Sequence, residues 1–196
     1  MVAHYHAQMW NGAELARALA VSESTVRRYL DLLTGVFMLR QLPPWFENIG
    51  KRQVKAPKVF VRDSGLLHAL LGIANRRSLE LHPKVGASWE GFAVEEVLKA
   101  VHPDEAYYWA THQGAEIDLM LFKHGRRIGI ECKRMDTPTL TPSMRIALND
   151  LKLDRLVVVY PGERRYLLAK CVEVIPLVEL AGAEGDAASL FKKRGR

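Results

Sequence analysis

Cysteine is scarce in this chain: Cys132 and Cys171 are its only two. Neither belongs to a CxxC pair or to a Cys/His spacing that would hold zinc. Both sit in apolar, strand-like runs and are expected to be reduced core residues. No apolar run approaches the roughly 18 residues a membrane helix needs, and Met1 to Trp10 lacks a charged-then-apolar leader, so the chain is expected to be soluble and cytoplasmic with no membrane partner. A G-x-x-x-x-G-K-[ST] loop to cradle phosphates is also missing, so no ATPase activity is expected. The seven histidines lack H-E-x-x-H spacing, and "HYH" at 4 to 6 reads as ordinary packing.

What the chain does have is core-forming material, with 48% hydrophobic residues in 196, enough for one domain or two small ones. The net charge of +6 is unevenly placed: residues 1–85 carry 12 Lys+Arg against 6 Asp+Glu, while residues 86–196 carry 16 against 16. If nucleic acid is a partner, the first part should make most of the phosphate contacts.

"NGAELARALAVSESTVRRYLDLL", from Asn11 to Leu33, reads as two helices about a tight turn, with Ser22 or Ser24 capping the second. Val26, Tyr29, Leu30 and Leu33 recur at helical spacing as one apolar face, and Arg27, Arg28 and Asp31 point away from it. This is helix-turn-helix patterning, which would offer Ser24, Thr25, Arg27 and Arg28 to a major groove. "GVFMLRQL" and "KVFVRDSG" read as strands. The proline-broken loop between them carries Lys51, Arg52 and Lys55, with Lys58 at its end, and suggests a basic wing along a phosphate backbone. Trp45, Phe46 and Trp109 read as packing, with base stacking as the alternative.

Residues 1–80 are therefore expected to form a winged-helix-like module, 81–180 a second domain and 181–196 a mobile tail. The second domain reads as a helix over 88–101, strands at 106–111, 116–122 and 127–133, a helix over 142–152, and strands at 155–160, 165–170 and 172–177. The order is αβββαβ with trailing strands, an α/β (α+β) class.

Strand alternation puts Ile117, Leu119 and Leu121 inward and Glu116, Asp118 and Met120 opposite; it likewise separates Ile128, Ile130 and Cys132 from Gly129, Glu131 and Lys133. If the two runs form a hairpin, Asp118 and Glu131 approach each other, and two carboxylates at a strand end suit a magnesium-type ion. On the preceding helix, Glu90 shares a face with Val94, Val97 and Val101 and needs a cation, a metal or donors, whereas Glu95 is expected outward beside Lys99. Structural salt bridges account for the same pattern and stand as the alternative.

Together these residues resemble the PD-(D/E)xK nuclease superfamily, with Asp118 as the strand acid and "ECK" at 131–133 as the Glu-x-Lys. "AHYHAQMWNGAELARALAVSESTVRRYLDLL", "RQLPPWFENIGKRQVKAPKVFVRDSGLLHALLG", "GASWEGFAVEEVL" and "YYWATHQGAEIDLML…IGIECKR" are more closely similar to domain of unknown function 4143, the region after the ATPase module of bacterial and archaeal AAA-type proteins. The resemblance implies a winged-helix-like module followed by a restriction-endonuclease-like fold. It brings in Glu90, Asp118, Glu131 and Lys133 as the nuclease-like set, with Asp118, Glu131 and Glu90 about Mg2+ or Mn2+. DNA is the partner it implies, with an ATPase subunit or another copy of the chain as further partners. Two functions compete at this stage: a Mg2+-dependent DNA phosphodiesterase, and a non-catalytic DNA-binding or protein-interaction module on a degenerate nuclease fold.

Overall fold

The structure, a computed structural model, describes residues 1–47, 50, 53–181 and 186–191. The chain divides into two compact units, Met1–Pro43 with Lys55–Phe92, and Pro44–Val54 with Ala93–Arg196. The main division between these compact units falls at Phe92/Ala93.

The first unit opens with a 3-10 turn, Val2–Tyr5, and a short strand β1, Gln8–Met9, before the expected helical pair: α1, Gly12–Leu19, and α2, Glu23–Gly35. The turn between them works because Ala20 takes a left-handed C-cap and Ser22 accepts a hydrogen bond from the Thr25 N–H at 3.2 Å. Strands β2, Leu39–Leu42, and β3, Lys58–Val61, follow, then helices α3, Ser64–Leu70, and α4, Arg76–Glu80. The three strands form an antiparallel sheet in the order β1-β3-β2. Its apolar residues Leu39, Val59 and Val61 pack with Ala3, Leu30 and Leu67 in one core, while Leu15, Ala16 and Val26 join the helical pair. One expectation fails on α2: Val26 and Leu30 are buried, but Tyr29 is 59% exposed.

Helix α5, Val85–Val101, is counted with the first unit up to Phe92 and with the second from Ala93. In the second unit come β4, Glu105–Ala110, β5, Glu116–Lys123, β6, Arg126–Cys132, helix α6, Pro142–Asp150, then β7, Arg155–Tyr160, β8, Tyr166–Ala169, and β9, Val172–Pro176. These are the elements read from the sequence, to within a few residues. The sheet order is β4-β5-β6-β7-β9-β8, with β6, β7 and β9 parallel and the other pairings antiparallel. From Leu156 to Tyr160 and throughout β9 every residue is buried, as expected of strands interior to a sheet covered on both faces. Met144 and Ala147 of α6 and its C-cap Leu151 pack on Ile117, Met120, Leu156 and Val158.

Three expectations are corrected in this unit. The loop read as a basic wing returns to β4: the Trp45 N–H donates to the Tyr108 carbonyl at 2.7 Å, and the Val54 N–H to the Ala110 carbonyl at 3.1 Å. Trp45 packs against Phe122 and Tyr107 in tilted and edge-on contacts, and Trp109 is wholly buried, in keeping with the packing reading of both rings. The end of the chain is not wholly a mobile tail, since helix α7, Leu177–Ala181, is followed by a 3-10 turn, Ala187–Phe191, whose Leu190 is fully buried. Of the two cysteines, Cys132 is a core residue but Cys171 is exposed.

Candidate functional site

Glu131 is the next-to-last residue of β6, and Lys133 continues the ladder beyond it by donating its N–H to the Val159 carbonyl at 2.9 Å. The two side chains therefore fall on the same side of the strand end, and the Lys133 ammonium meets Glu131 Oε1 at 2.6 Å. Glu131 is only 6% exposed, and its second oxygen, Oε2, is buried with no hydrogen-bond partner among the described residues. Burial, then the charge of Asp118, pushes the Glu131 carboxyl from its ordinary 4.5 up to about 8, against the pull of Lys133. Burial also works against the Lys133 charge, but Glu131 and Asp118 outweigh it and carry that ammonium above its usual range.

Asp118 reaches this place through an irregularity in β5. The β4–β5 register pairs Tyr107 with Met120 but Trp109 with Ile117, so β5 holds one extra residue there. Ile117 and Met120, which strict alternation would put on opposite faces, consequently lie in one core cluster. Asp118 falls at the slip, 7% exposed, and its Oδ2 accepts the Cys132 N–H at 2.8 Å. The hairpin itself is as expected, with Leu119 opposite Ile130 through to Lys123 opposite Arg126. Asp118, Glu131 and Lys133 are thus brought together.

Glu90 is not shown with them. In the first unit its Oε1 accepts from the Lys58 ammonium at 3.0 Å, with the lysine side chain 5% exposed. Lys58 is accordingly a buried partner of Glu90 and not a phosphate contact of a wing. The buried helix acid of the second unit is Glu95, 2% exposed, and it is Glu96, not Glu95, that pairs with Lys99, at 2.7 Å. The helical wheel erred by one position: Glu96, Lys99 and Ala100 share the less buried face of α5, and Glu95 lies beside it among the buried Val94, Val97 and Leu98. Among the described residues there is no group of three or more His, Cys, Asp or Glu that could hold a metal ion.

Of the expected DNA contacts, Ser24, Arg27, Arg28 and Lys55 are exposed and Thr25 is half-buried, while Lys51 and Arg52 lie outside the described residues. Arg27 pairs along the helix with Asp31 at 3.2 Å. His6, read from the sequence as ordinary packing, is 2% exposed: its Nδ1 accepts from the Val61 N–H at 3.0 Å and its Nε2 lies 3.1 Å from the Ala87 carbonyl. Burial lowers its pKa to about 4.

Residues 1–77 match the model of a domain of unknown function (DUF8612), and residues 85–180 match that of a domain of unknown function (DUF4143). The chain is 51% identical over 194 residues to an uncharacterized protein of Mycobacterium tuberculosis and equally to one of Mycobacterium bovis, a match covering 98% of the chain and 44% of each relative. It therefore spans less than half the length of these relatives. No solved structure matches it.

Proposed function

We propose, for a chain whose residues 85–180 match the DUF4143 domain, that the second unit is a PD-(D/E)xK-type phosphodiesterase of restriction-endonuclease-like fold acting on DNA. The observation that carries the reading is the buried Glu131 Oε2, an acceptor without a donor beside the carboxylate of Asp118. A buried, unpartnered carboxylate oxygen is costly and is relieved by a cation. The donor set fits Mg2+ or Mn2+, which take hard oxygens from one or two carboxylates and complete their shells with water and phosphate. Asp118 and Glu131 would hold such an ion. When bound, it supplies a lowered water pKa and charge stabilisation at the phosphate.

The chain's own groups do the rest. Asp118 is oriented by the Cys132 N–H, which donates to its Oδ2. Lys133, whose ammonium lies at this strand end beside Glu131, would offset charge on the scissile phosphate or orient the attacking water. In the first unit, the helical pair and three-stranded sheet serve as a winged-helix-like module in which α2 presents Ser24, Arg27 and Arg28 to the duplex.

One observation favours the second reading, a nuclease-like unit without turnover: Lys133 is spent on Glu131, and no third ligand joins the pair among the described residues. The readings separate in a cleavage assay over linear, nicked and single-stranded DNA with Mg2+ and Mn2+. The phosphodiesterase reading expects metal-dependent cleavage that Asp118→Asn and Lys133→Ala abolish. Wild type as inert as both variants across the whole set sinks it.

A further inference from the structure

The turn that leaves β7 is built around a single ring. Tyr160 ends β7 at 2% exposure, and a Cβ at Gly162 would fall 2.2 Å from its ring carbon Cε2, so the chain crosses the ring only because residue 162 is glycine. The Tyr160 hydroxyl then donates to the Arg164 carbonyl at 2.5 Å and accepts from the Arg164 N–H at 2.8 Å. Both backbone polar groups of Arg164 are held by one buried hydroxyl, while its side chain is exposed and no acceptor among the described residues takes its guanidinium. The neighbouring Arg165, by contrast, is engaged by Glu173 at 2.8 Å and Glu179 at 3.6 Å.

Topology sets this turn at the carboxylate end of the sheet. Strands β6 and β7 are parallel, with Glu131 opposite Val158 and Cys132 opposite Val159, so the chain leaving Tyr160 emerges where Glu131 and Lys133 do. The Tyr166 hydroxyl donates to the Pro138 carbonyl at 3.2 Å, tying the chain after the turn to the segment that follows β6. The first turn of α6 is there too, since Ser143 Oγ donates to the Glu116 carbonyl at 2.7 Å. Arg134, directly after Lys133, and Arg145, in that first turn, are further exposed guanidiniums of this end, interleaved with the exposed acids Asp136 and Glu163. Lys152 and Lys170 lie at the opposite end, before β7 and β9.

We infer that Arg164 is a phosphate-holding residue of the site proposed above, taking a backbone phosphate of the strand whose scissile bond lies at Asp118 and Glu131. The inference rests on that reading for its ligand. A guanidinium forks onto two phosphate oxygens, and a fixed backbone loses less freedom when it does so.

The test titrates salt against binding of labelled single-stranded and duplex DNA to the full chain carrying Asp118→Asn, so that binding is read without turnover. Arg164→Ala is expected to weaken binding at low salt and to reduce the slope of log affinity against log salt by about one, with an unchanged melting curve. Tyr160→Phe, which keeps the ring under Gly162, should weaken binding less, and Lys170→Ala should leave it alone. Arg164→Ala with the parent's affinity and slope overturns the inference, as does an equal loss from Lys170→Ala or no DNA binding at all. Binding that depends on Arg164 in a wild type that cleaves nothing supports the inference and sinks the phosphodiesterase reading. Cleavage with binding indifferent to Arg164 does the reverse.

Discussion

The Lys133 ammonium meets Glu131 Oε1 at 2.6 Å, while Oε2 of the same carboxylate is buried without a donor. A lysine two residues along the strand can neutralise the charge but cannot reach round to the far oxygen. The arrangement leaves half of a buried acid unsatisfied, beside a second acid, Asp118, whose charge raises the first.

Glu131 should therefore destabilise the fold as pH rises. Its folded pKa lies above its unfolded value, so the unfolded chain loses its proton first and stability falls between about 4.5 and about 8. Chemical denaturation across that window is expected to show the decline in wild type and a flatter profile in Glu131→Gln, which carries no titrating proton. Adding Mn2+ at pH 8 should raise the wild-type melting temperature and leave Glu131→Gln unmoved.

His6 acts in the other direction. Its folded pKa of about 4 lies below its unfolded value of 6.5, so the unfolded chain takes up a proton that the native ring refuses, and stability is lost as pH falls through that interval. Protonation would also remove the acceptor that Nδ1 offers the Val61 N–H. Equilibrium unfolding at pH 5 and pH 7 checks this, with His6→Gln expected to lose most of the difference.

Removing either member of the Lys58–Glu90 pair should take away a largely buried ion-pair contact and cost about 3 kcal/mol. Glu90→Gln and Lys58→Met are the single variants, and Lys58→Met with Glu90→Leu is expected to recover much of the loss. If Glu90→Gln instead kept full stability and abolished metal-dependent cleavage, Glu90 would belong to the catalytic set after all.

Gly91 has no room for a side chain, since a Cβ there would lie 2.3 Å from His6 Nε2. Gly91→Ala should destabilise by about 1–3 kcal/mol through overpacking. The double variant Gly91→Ala with His6→Ala should recover part of that overpacking cost relative to the sum of the two singles, measured by denaturant titration.

Much of this was legible in the sequence. Periodicity placed the helical pair, the αβββαβ order and the trailing strands, because each element has the spacing that buries one face or, in β7 and β9, a continuous apolar run. Glu131 and Lys133 share a side of β6 for the same local reason, and the β5–β6 hairpin follows from the turn at "KHGRR". What local pattern could not supply was anything set by two segments far apart in the chain. The extra residue in β5 exists only against β4, so alternation misplaced Met120. Lys58 and Glu90 stand 32 positions apart, and only the packing of β3 against α5 makes the lysine the acid's partner. The loop at 44–54 has the composition of a wing, yet the free hydrogen-bonding edge of β4 captures it. The sequence by itself determined which residues are strands, helices and candidate acids; tertiary structure decided which charges meet, because a buried ion needs the partner that packing brings to it or is pushed toward its neutral form.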